Sequence, residues 1–444
     1  MDAQLTPFAL QSVPRYTSYP TAAEFTPAVG AEQHAAWLGR ADPDESVSLY
    51  LHVPYCRDLC HYCGCHTKAT HKEGVVAAYR ESLEAEIRLV AGHLPGRLKA
   101  ARIAWGGGTP SILGGDGIAA VMAVLEEAFD LSAIEEHAIE LDPRFVDAAL
   151  ARRLADLGVT RVSLGVQDLD PVVQVAIGRV QPEAVVAAAV GHLRAAGIEG
   201  LNIDLIYGLP HQTEESVRAT CRQIAALGPD RVACFGYAHL PQRKANQRLI
   251  DEAALPGTLE RFRQAAAVAE VFSGRGYQAI GLDHYARLCD KLAVAARQRR
   301  LRRNFQGYTD DDRRTLIGFG ASAVSQLPDG FVQTTAPVGD YRRGIAAGVL
   351  PTARGIAVGP ATRQRAIIIE RLMCDFRVDL DDVGGIGRYG DIAARLQPYE
   401  AAGLATLSGS TLRMTAKGRP FVRLIAALFD EARSAGETSF SRAI

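Results

Sequence analysis

The chain has 444 residues, 48% of them hydrophobic, and its 49 Lys and Arg balance 50 Asp and Glu to a formal charge of −1. That length supports a large core and two or three domains, while near-neutrality excludes bulk nucleic-acid binding, which needs a basic surface to neutralise phosphates. No apolar stretch reaches membrane-spanning length, and Met-Asp-Ala-Gln-Leu-Thr at the start lacks the basic and apolar regions of an export signal, so a cytoplasmic protein without a membrane span is expected. In chain order, Val47–Val53 reads as a strand and Val75–Leu94 as a helix with Tyr79, Leu83 and Ile87 on one side. Ala101–Trp105 is the next strand, followed by a helix at 116–129, strand His137–Leu141 and helix Phe145–Leu157. Strand Arg161–Val166, helices near 172–196, strand Leu201–Tyr207, helix Glu214–Leu227 and strand Arg231–Tyr237 complete the series. Repeated strand–helix units predict a parallel sheet with right-handed crossovers, whose functional residues gather at the strands' C-terminal ends.

Those ends are polar. The first strand delivers four cysteines, Cys56, Cys60, Cys63 and Cys65, within ten residues. The later strands lead to Gly106, Gly107, Gly108 and Thr109; to Glu140 and Asp142; to Gln167 and Asp168; to Asp204; and to Tyr237, Ala238 and His239. Buried structural cysteines do not bunch in this way. Disulfides fit poorly with a chain lacking a secretory signal, whose other cysteines (Cys221, Cys234, Cys289, Cys374) are scattered. Structural zinc sites usually show two separated C-x2-C pairs, and no second pair exists here. Cys56, Cys60 and Cys63 have the spacing C-x3-C-x2-C, which suits three irons of a [4Fe–4S] cube and leaves the fourth open to a ligand, whereas electron-transfer clusters use four cysteines. This loop resembles that of the radical S-adenosylmethionine (SAM) enzymes. The glycine run reads either as a tight turn or as a close backbone approach to a small ligand. It is neither a Rossmann fingerprint nor a Walker A loop, and His-Glu-x-x-His is absent.

Further stretches extend the likeness over nearly the whole length. They are Pro-Arg-Tyr-Thr-Ser-Tyr-Pro-Thr at 14–21, Trp-Gly-Gly-Gly-Thr-Pro at 105–110, Gly-Val-Gln-Asp at 165–168 and Asn-Ile-Asp-Leu-Ile-Tyr-Gly-Leu-Pro at 202–210. Tyr-Ala-His-Leu-Pro at 237–241, Asn-Phe-Gln-Gly-Tyr-Thr at 304–309 and Phe-Ser-Arg-Ala-Ile at 440–444 complete them. With these, the chain resembles the oxygen-independent coproporphyrinogen III oxidases, radical SAM enzymes of haem biosynthesis. The resemblance implies an α/β fold: a partly open (β/α)6 barrel with an N-terminal segment and a mostly helical C-terminal domain. The corresponding boundaries are an N-terminal segment or lid at 1–45, the catalytic barrel at 46–290, an extension contributing to the active site at 291–355, and the helical domain at 356–444.

The same resemblance implies a [4Fe–4S] cluster on Cys56, Cys60 and Cys63 and two SAM molecules in one site. Tyr50, Gly107, Glu140 and Val324 would contact the first SAM, which chelates the open iron. Tyr62, Gly108, Thr109, Gln167, Arg179, Asp204 and Ala238 would contact the second. Asp204 is suited to ribose hydroxyls and Arg179 to a bidentate carboxylate pairing. Cys65 matches the family's fourth cysteine, which is not a cluster ligand. The catalytic set is then Cys56, Cys60, Cys63, Glu140 and Asp204. The implied reaction takes one electron from a low-potential donor and cleaves SAM to a 5′-deoxyadenosyl radical. A hydrogen is abstracted from a propionate β-carbon, and two propionates of coproporphyrinogen III become the vinyl groups of protoporphyrinogen IX. A monomer is expected.

Some features stay open at this stage. Tyr16 and Tyr19 read equally as part of a closing lid or as tethers of an N-terminal arm. The arginines at 297, 299, 300, 302 and 303 read as a solvated helix face, with Arg303 the exception that meets the substrate's carboxylates. Ala286-Arg287-Leu288-Cys289 departs from the Ala-Arg-Pro-Asp of the family, which puts that loop in doubt. Past residue 355, Ala361–Met373 reads as a helix, Leu404–Leu412 as a small β-element and Pro420–Ala432 as a helix with proline in its first turn. Two other classes compete: a haem-binding chaperone with a similar cysteine loop, and a radical SAM enzyme acting on another tetrapyrrole. Cys65 and the segment at 14–21 favour the oxidase over the chaperone.

Overall fold

A computed structural model describes residues 5–434, so the stretch at 440–444 lies outside the described residues. The six expected strands form as β1 Val47–Val53, β2 Ala100–Gly107, β3 Glu136–Leu141, β4 Arg161–Gln167, β5 Gly200–Tyr207 and β6 Arg231–Gly236. They lie side by side in chain order, all parallel. β1 is buried on both faces apart from Tyr50, as expected for a parallel strand covered by crossover helices. Two of those helices, Ala148–Asp156 and Glu214–Leu227, start on side-chain caps that satisfy otherwise orphaned amides. Asp147 accepts from Leu150 N (2.7 Å) and Thr213 from Ser216 N (3.1 Å). The helix Glu214–Leu227 stops at Gly228, whose φ of +66° suits glycine.

The sheet is wider than six strands. Beyond β6 run β7 Tyr277–Ile280 and β8 His284–Arg287, and beyond β1 run β9 Leu316–Phe319, β10 Val324–Leu327, β11 Gly330–Thr334 and β12 Thr352–Ala357. The order is β12-β11-β10-β9-β1-β2-β3-β4-β5-β6-β8-β7. β9 joins β1 in parallel, and the other outer pairings are antiparallel. The twelve strands form an open sheet whose edges are β12 and β7. The outer strands run only four to six residues and mostly follow one another without an intervening helix, so the strand–helix rhythm gives no sign of them.

Strand alternation sends every second side chain to one face. Ser48, Arg102, Glu136, Arg161 and Arg231 line one cavity near the strands' N-terminal ends. Tyr50, Glu140 and Asp204 line the same cavity nearer the C-terminal ends. The first set is its floor and the second belongs to its rim.

The main core spans the barrel and includes Trp37 and Leu38 from the N-terminal region. A second core joins Leu5, Ala9, Val13, Tyr16 and Tyr19 to Ile368, Leu372, Leu412 and Phe429. Tyr16 Oη donates to Asp430 Oδ2 at 2.8 Å, and Glu431 N donates to Tyr19 Oη at 3.4 Å. The two tyrosines therefore act as tethers to the C-terminal region. That region pairs helices Pro360–Asp375 and Ile392–Ala401 with a small antiparallel sheet of 377–379, 411–414 and 405–408. The expected helix at 420–432 is broken into a 3-10 turn, the helix Val422–Ala426 and a second 3-10 turn. The arginine run is likewise no single helix face. The helix ends at Arg297, and Arg302 and Arg303 belong to a two-stranded pair, Arg302–Asn304 with Gly307–Thr309. The departing residues Leu288 and Cys289 sit in an exposed turn after β8. Since β8 pairs antiparallel to β6, this turn lies at the floor end, away from the cysteines.

Candidate active site

The cysteine loop leaves β1 through a two-residue strand, Tyr55–Cys56, paired with Lys68–Ala69. Thr109 Oγ1 donates to Cys56 Sγ at 3.5 Å, and Thr67 Oγ1 lies 3.4 Å from the same sulfur. Arg179 Nη1 donates to Cys60 Sγ at 3.4 Å. Hydrogen bonds from Cys65 pull the Cys63 thiol down to about 6, while the same contact and burial push Cys65 upward. Each of the three ligand candidates thus has a donor that stabilises negative sulfur, the kind of support that metal-bound thiolates receive from their surroundings. Among the described residues, no three of His, Cys, Asp and Glu converge on a single-ion site. A lone tetrahedral ion with bonds of about 2.3 Å would draw its thiolates to within about 4 Å of one another. The donor chemistry fits a thiolate-held cluster with Cys65 supporting Cys63.

The glycine run packs against this loop. Gly108 N donates to Val53 O and Thr109 N to Tyr55 O, both at 2.8 Å, so these amides hold the loop. A side chain at Gly107, whose φ is +111°, would meet the His52 ring at 2.7 Å, and one at Gly106 would meet Glu140 Oε1 at 2.9 Å. Backbone conformation and the adjoining ring together require glycine at 107, while a side chain at 106 would have to displace the Glu140 carboxyl. His52, which the sequence does not single out, links the parts. Its Nδ1 lies 3.0 Å from Tyr50 Oη and its Nε2 lies 3.1 Å from His66 O. A carbonyl can only accept, so Nε2 carries the proton and Nδ1 accepts from Tyr50. Burial holds this ring neutral by lowering its value to about 4.

Tyr50, Gly107 and Glu140 come together as expected. Glu140 Oε2 accepts from Gly107 N at 3.2 Å, and crowding by protein, then the charge of Asp204, raise its carboxyl to about 7 although it faces the open cleft. Tyr50 sits beside Gly318 in the β1–β9 register, and a side chain at Gly318 would run into the Val324 backbone, which places Val324 at the same wall. Asp204 accepts from Ser163 Oγ (2.7 Å) and Asn202 Nδ2 (2.8 Å), and burial raises its carboxyl.

The second group meets in smaller sets, and a side chain at Gly165 would touch both Gln167 Nε2 (3.0 Å) and Arg179 Nη2 (3.6 Å). Gly108 and Thr109 stay with Cys56. Gln167 stands at a register slip in β4 with φ +72°, a left-handed conformation uncommon outside glycine. Arg179 keeps one edge of its fork open, since its buried Nε has no hydrogen-bond partner. Nη1 is shared between Asp142 Oδ2 (3.1 Å) and Cys60, and Nη2 donates to Gly165 O (2.5 Å). Tyr62 and Ala238 meet through Gln247, whose Nε2 donates to the carbonyl of each, at 2.8 and 3.2 Å. Three neighbours missed by the sequence reading, Lys244, Asn246 and Gln247, hold the cysteine loop from outside. They carry no local signal, because their partners lie some 180 residues away.

Residues 50–224 match the family model of the radical SAM superfamily. The oxygen-independent coproporphyrinogen III oxidase of Bradyrhizobium diazoefficiens is 46% identical, with 98% of both chains covered. The enzyme of that name from Escherichia coli is 37% identical over 98% of this chain and 96% of its own. The solved structure of Escherichia coli coproporphyrinogen III oxidase, described as a radical SAM enzyme, superposes with a TM-score of 0.90 at 36% identity, covering 95% of this chain and all of the other.

Proposed function

Because the chain belongs to the oxygen-independent coproporphyrinogen III oxidases of the radical SAM superfamily, we propose that it oxidatively decarboxylates two propionates of coproporphyrinogen III to give protoporphyrinogen IX. Each –CH2–CH2–COO− becomes a vinyl group with loss of CO2, one hydrogen atom and one electron. A bound [4Fe–4S] cluster and SAM supply the one-electron chemistry that side chains cannot. Cys56, Cys60 and Cys63 hold the cluster, and the Arg179 guanidinium beside Cys60 offsets thiolate charge. Tyr50, Gly107, Glu140 and Val324 bind one SAM, with the Glu140 carboxylate suited to a ligand ammonium. Tyr62, Gly108, Thr109, Gln167, Asp204 and Ala238 bind the second. Arg179 joins them through its Nε edge, while Nη1 is held by Asp142 and Cys60.

Arg303 receives a propionate. Its guanidinium lies 4.2 Å from the Tyr308 ring centroid, and its Nε and Nη1 have no hydrogen-bond partner. Tyr308 is itself fixed, donating to Met373 O (2.9 Å) and accepting from Leu282 N (3.2 Å). The Asp283 carboxylate lies in the field of Arg303, and Arg15 and Arg423 add positive charge around it. An excess of guanidinium over carboxylate suits a tetracarboxylate substrate. The protein works in the cytoplasm as a monomer and draws electrons from a low-potential donor.

The observation that carries this reading is that Glu140 holds Gly107 while the next two residues, Gly108 and Thr109, hold the cysteine loop, in a chain that aligns end to end with enzymes of this name. The test is anaerobic turnover of reconstituted protein with SAM, reductant and coproporphyrinogen III, read by mass spectrometry. Protoporphyrinogen with 5′-deoxyadenosine is expected. Deoxyadenosine without a vinyl product moves the substrate to another tetrapyrrole. An intact cluster that never cleaves SAM turns the reading to a haem-binding chaperone.

A further inference from the structure

The cysteine loop is gripped by a segment with no part in the chemistry above. After β6 the chain forms a 3-10 turn, Ala245–Leu249, that lies against the loop. Asn246 Nδ2 is within hydrogen-bonding distance of three loop carbonyls: Cys60 O at 3.0 Å, His61 O at 3.1 Å and Cys63 O at 3.0 Å. Gln247, only 1% exposed, supplies the missing member of the run by donating to Tyr62 O at 2.8 Å. The carbonyls of residues 60 to 63 are thus taken up, four in succession, by two adjacent carboxamides. Lys244 Nζ adds a bond to Cys65 O at 2.9 Å.

This arrangement is specific. A carboxamide nitrogen has two hydrogens, so three acceptors around Asn246 require sharing, which only a tightly curled backbone presents. Gln247 is anchored at its other end, since Oε1 accepts from Leu240 N at 2.5 Å, and its Nε2 also reaches Ala238 O. The turn therefore fixes the loop's curl and its distance from the end of β6. Residues 60–63 have few other backbone ties: His61 N to Ile177 O (2.9 Å) and Cys63 N to Cys60 O (3.2 Å).

We propose that Asn246 and Gln247 are positioning residues that pre-form the cysteine loop, so that Cys60 and Cys63 stand in ligand geometry before any iron arrives. The inference rests on the reading of Cys56, Cys60 and Cys63 as cluster ligands and goes beyond it, since neither residue touches a sulfur.

The test compares wild-type full-length protein with Asn246→Ala and with Asn246→Asp, which keeps the shape and removes both donors. In the cluster-free state, hydrogen–deuterium exchange of residues 56–66 is expected to quicken in both variants, with the denaturation midpoint unchanged. After anaerobic reconstitution with iron and sulfide, iron per chain should fall, and loss of iron to a chelator should quicken roughly tenfold, as for other partners that orient metal ligands. The electron paramagnetic resonance spectrum of the remaining reduced cluster should shift. Wild-type exchange, iron content, chelator kinetics and spectrum in both variants would overturn the proposal. Failure of the wild-type chain itself to take up iron would instead defeat the cluster reading on which it rests.

Discussion

At the floor of the cavity charges meet their opposites, while at the rim carboxylates meet hydroxyls, amides and each other. Arg102 holds Asp310 with two parallel hydrogen bonds (3.1 and 2.9 Å) and approaches Glu136 and Asp311, Arg161 pairs with Glu136 at 2.8 Å, and Arg231 pairs with Asp290 at 2.8 Å. Four residues further along β3, Glu140 points to the same cavity with one backbone donor and Asp204 nearby. Against the upward push of burial, the charge of Arg161 holds Glu136 at about 2, whereas Glu140 is raised to about 7. One strand thus carries a carboxylate whose needs the protein has met and another left for a ligand. Paired charges read as architecture, and unpaired ones at a mouth read as function.

The sharpest break in this comparison is total loss at the rim with little change in the fold. Cys56→Ser should abolish cluster iron and SAM cleavage, measured by iron analysis and deoxyadenosine release, while Cys65→Ser keeps its iron. Next, Arg102→Met at the floor should cost about 3–5 kcal/mol of stability in denaturant titration, because it leaves the carboxylates of Glu136, Asp310 and Asp311 without their shared cation.

The two glutamates should then show opposite pH slopes. Glu136 has a folded value below its unfolded one, so its contribution is present above about pH 4.5 and is lost as pH falls towards 2. The shift corresponds to about 3 kcal/mol, and Glu136→Gln should flatten the acid limb of a stability–pH curve. Glu140 has a folded value above its unfolded one, so its contribution is present below pH 4.5 and is lost as pH rises through about 7. Glu140→Gln should remove that decline, a smaller effect because the side chain faces the cleft and water screens it. The smallest effect is expected at Arg303. Arg303→Lys should raise KM for coproporphyrinogen roughly tenfold, about 1.4 kcal/mol, and leave SAM cleavage unchanged; a normal KM would remove Arg303 from substrate binding.

The rim was legible in sequence because its residues fall where strand-to-helix rhythm ends, and because four cysteines in ten residues have few competing explanations. The floor was not. Arg102, Arg161 and Arg231 stand at or near strand starts, where charges are commonplace, and their partners come from elsewhere in the chain: Asp310 is 208 positions from Arg102 and Asp290 is 59 from Arg231. Asn246 and Gln247 escaped notice for the same reason, and His52 looked like one more strand residue. The contacts of the glycine run with His52, Glu140 and Tyr55 were also hidden, because they join separate strands.

The pairing of β1 with β9 joins Tyr50 to Gly318, two walls of one site drawn from opposite ends of the barrel sequence. During synthesis the cysteine loop emerges early, yet this second wall leaves the ribosome only after the rest of the parallel sheet. β1 remains an open edge until then, and the clamp at 244–247 is also still to come. A rim able to shelter a cluster is consequently complete only once β9 has emerged, and chains truncated before Leu316 should retain less iron after reconstitution than the full-length protein.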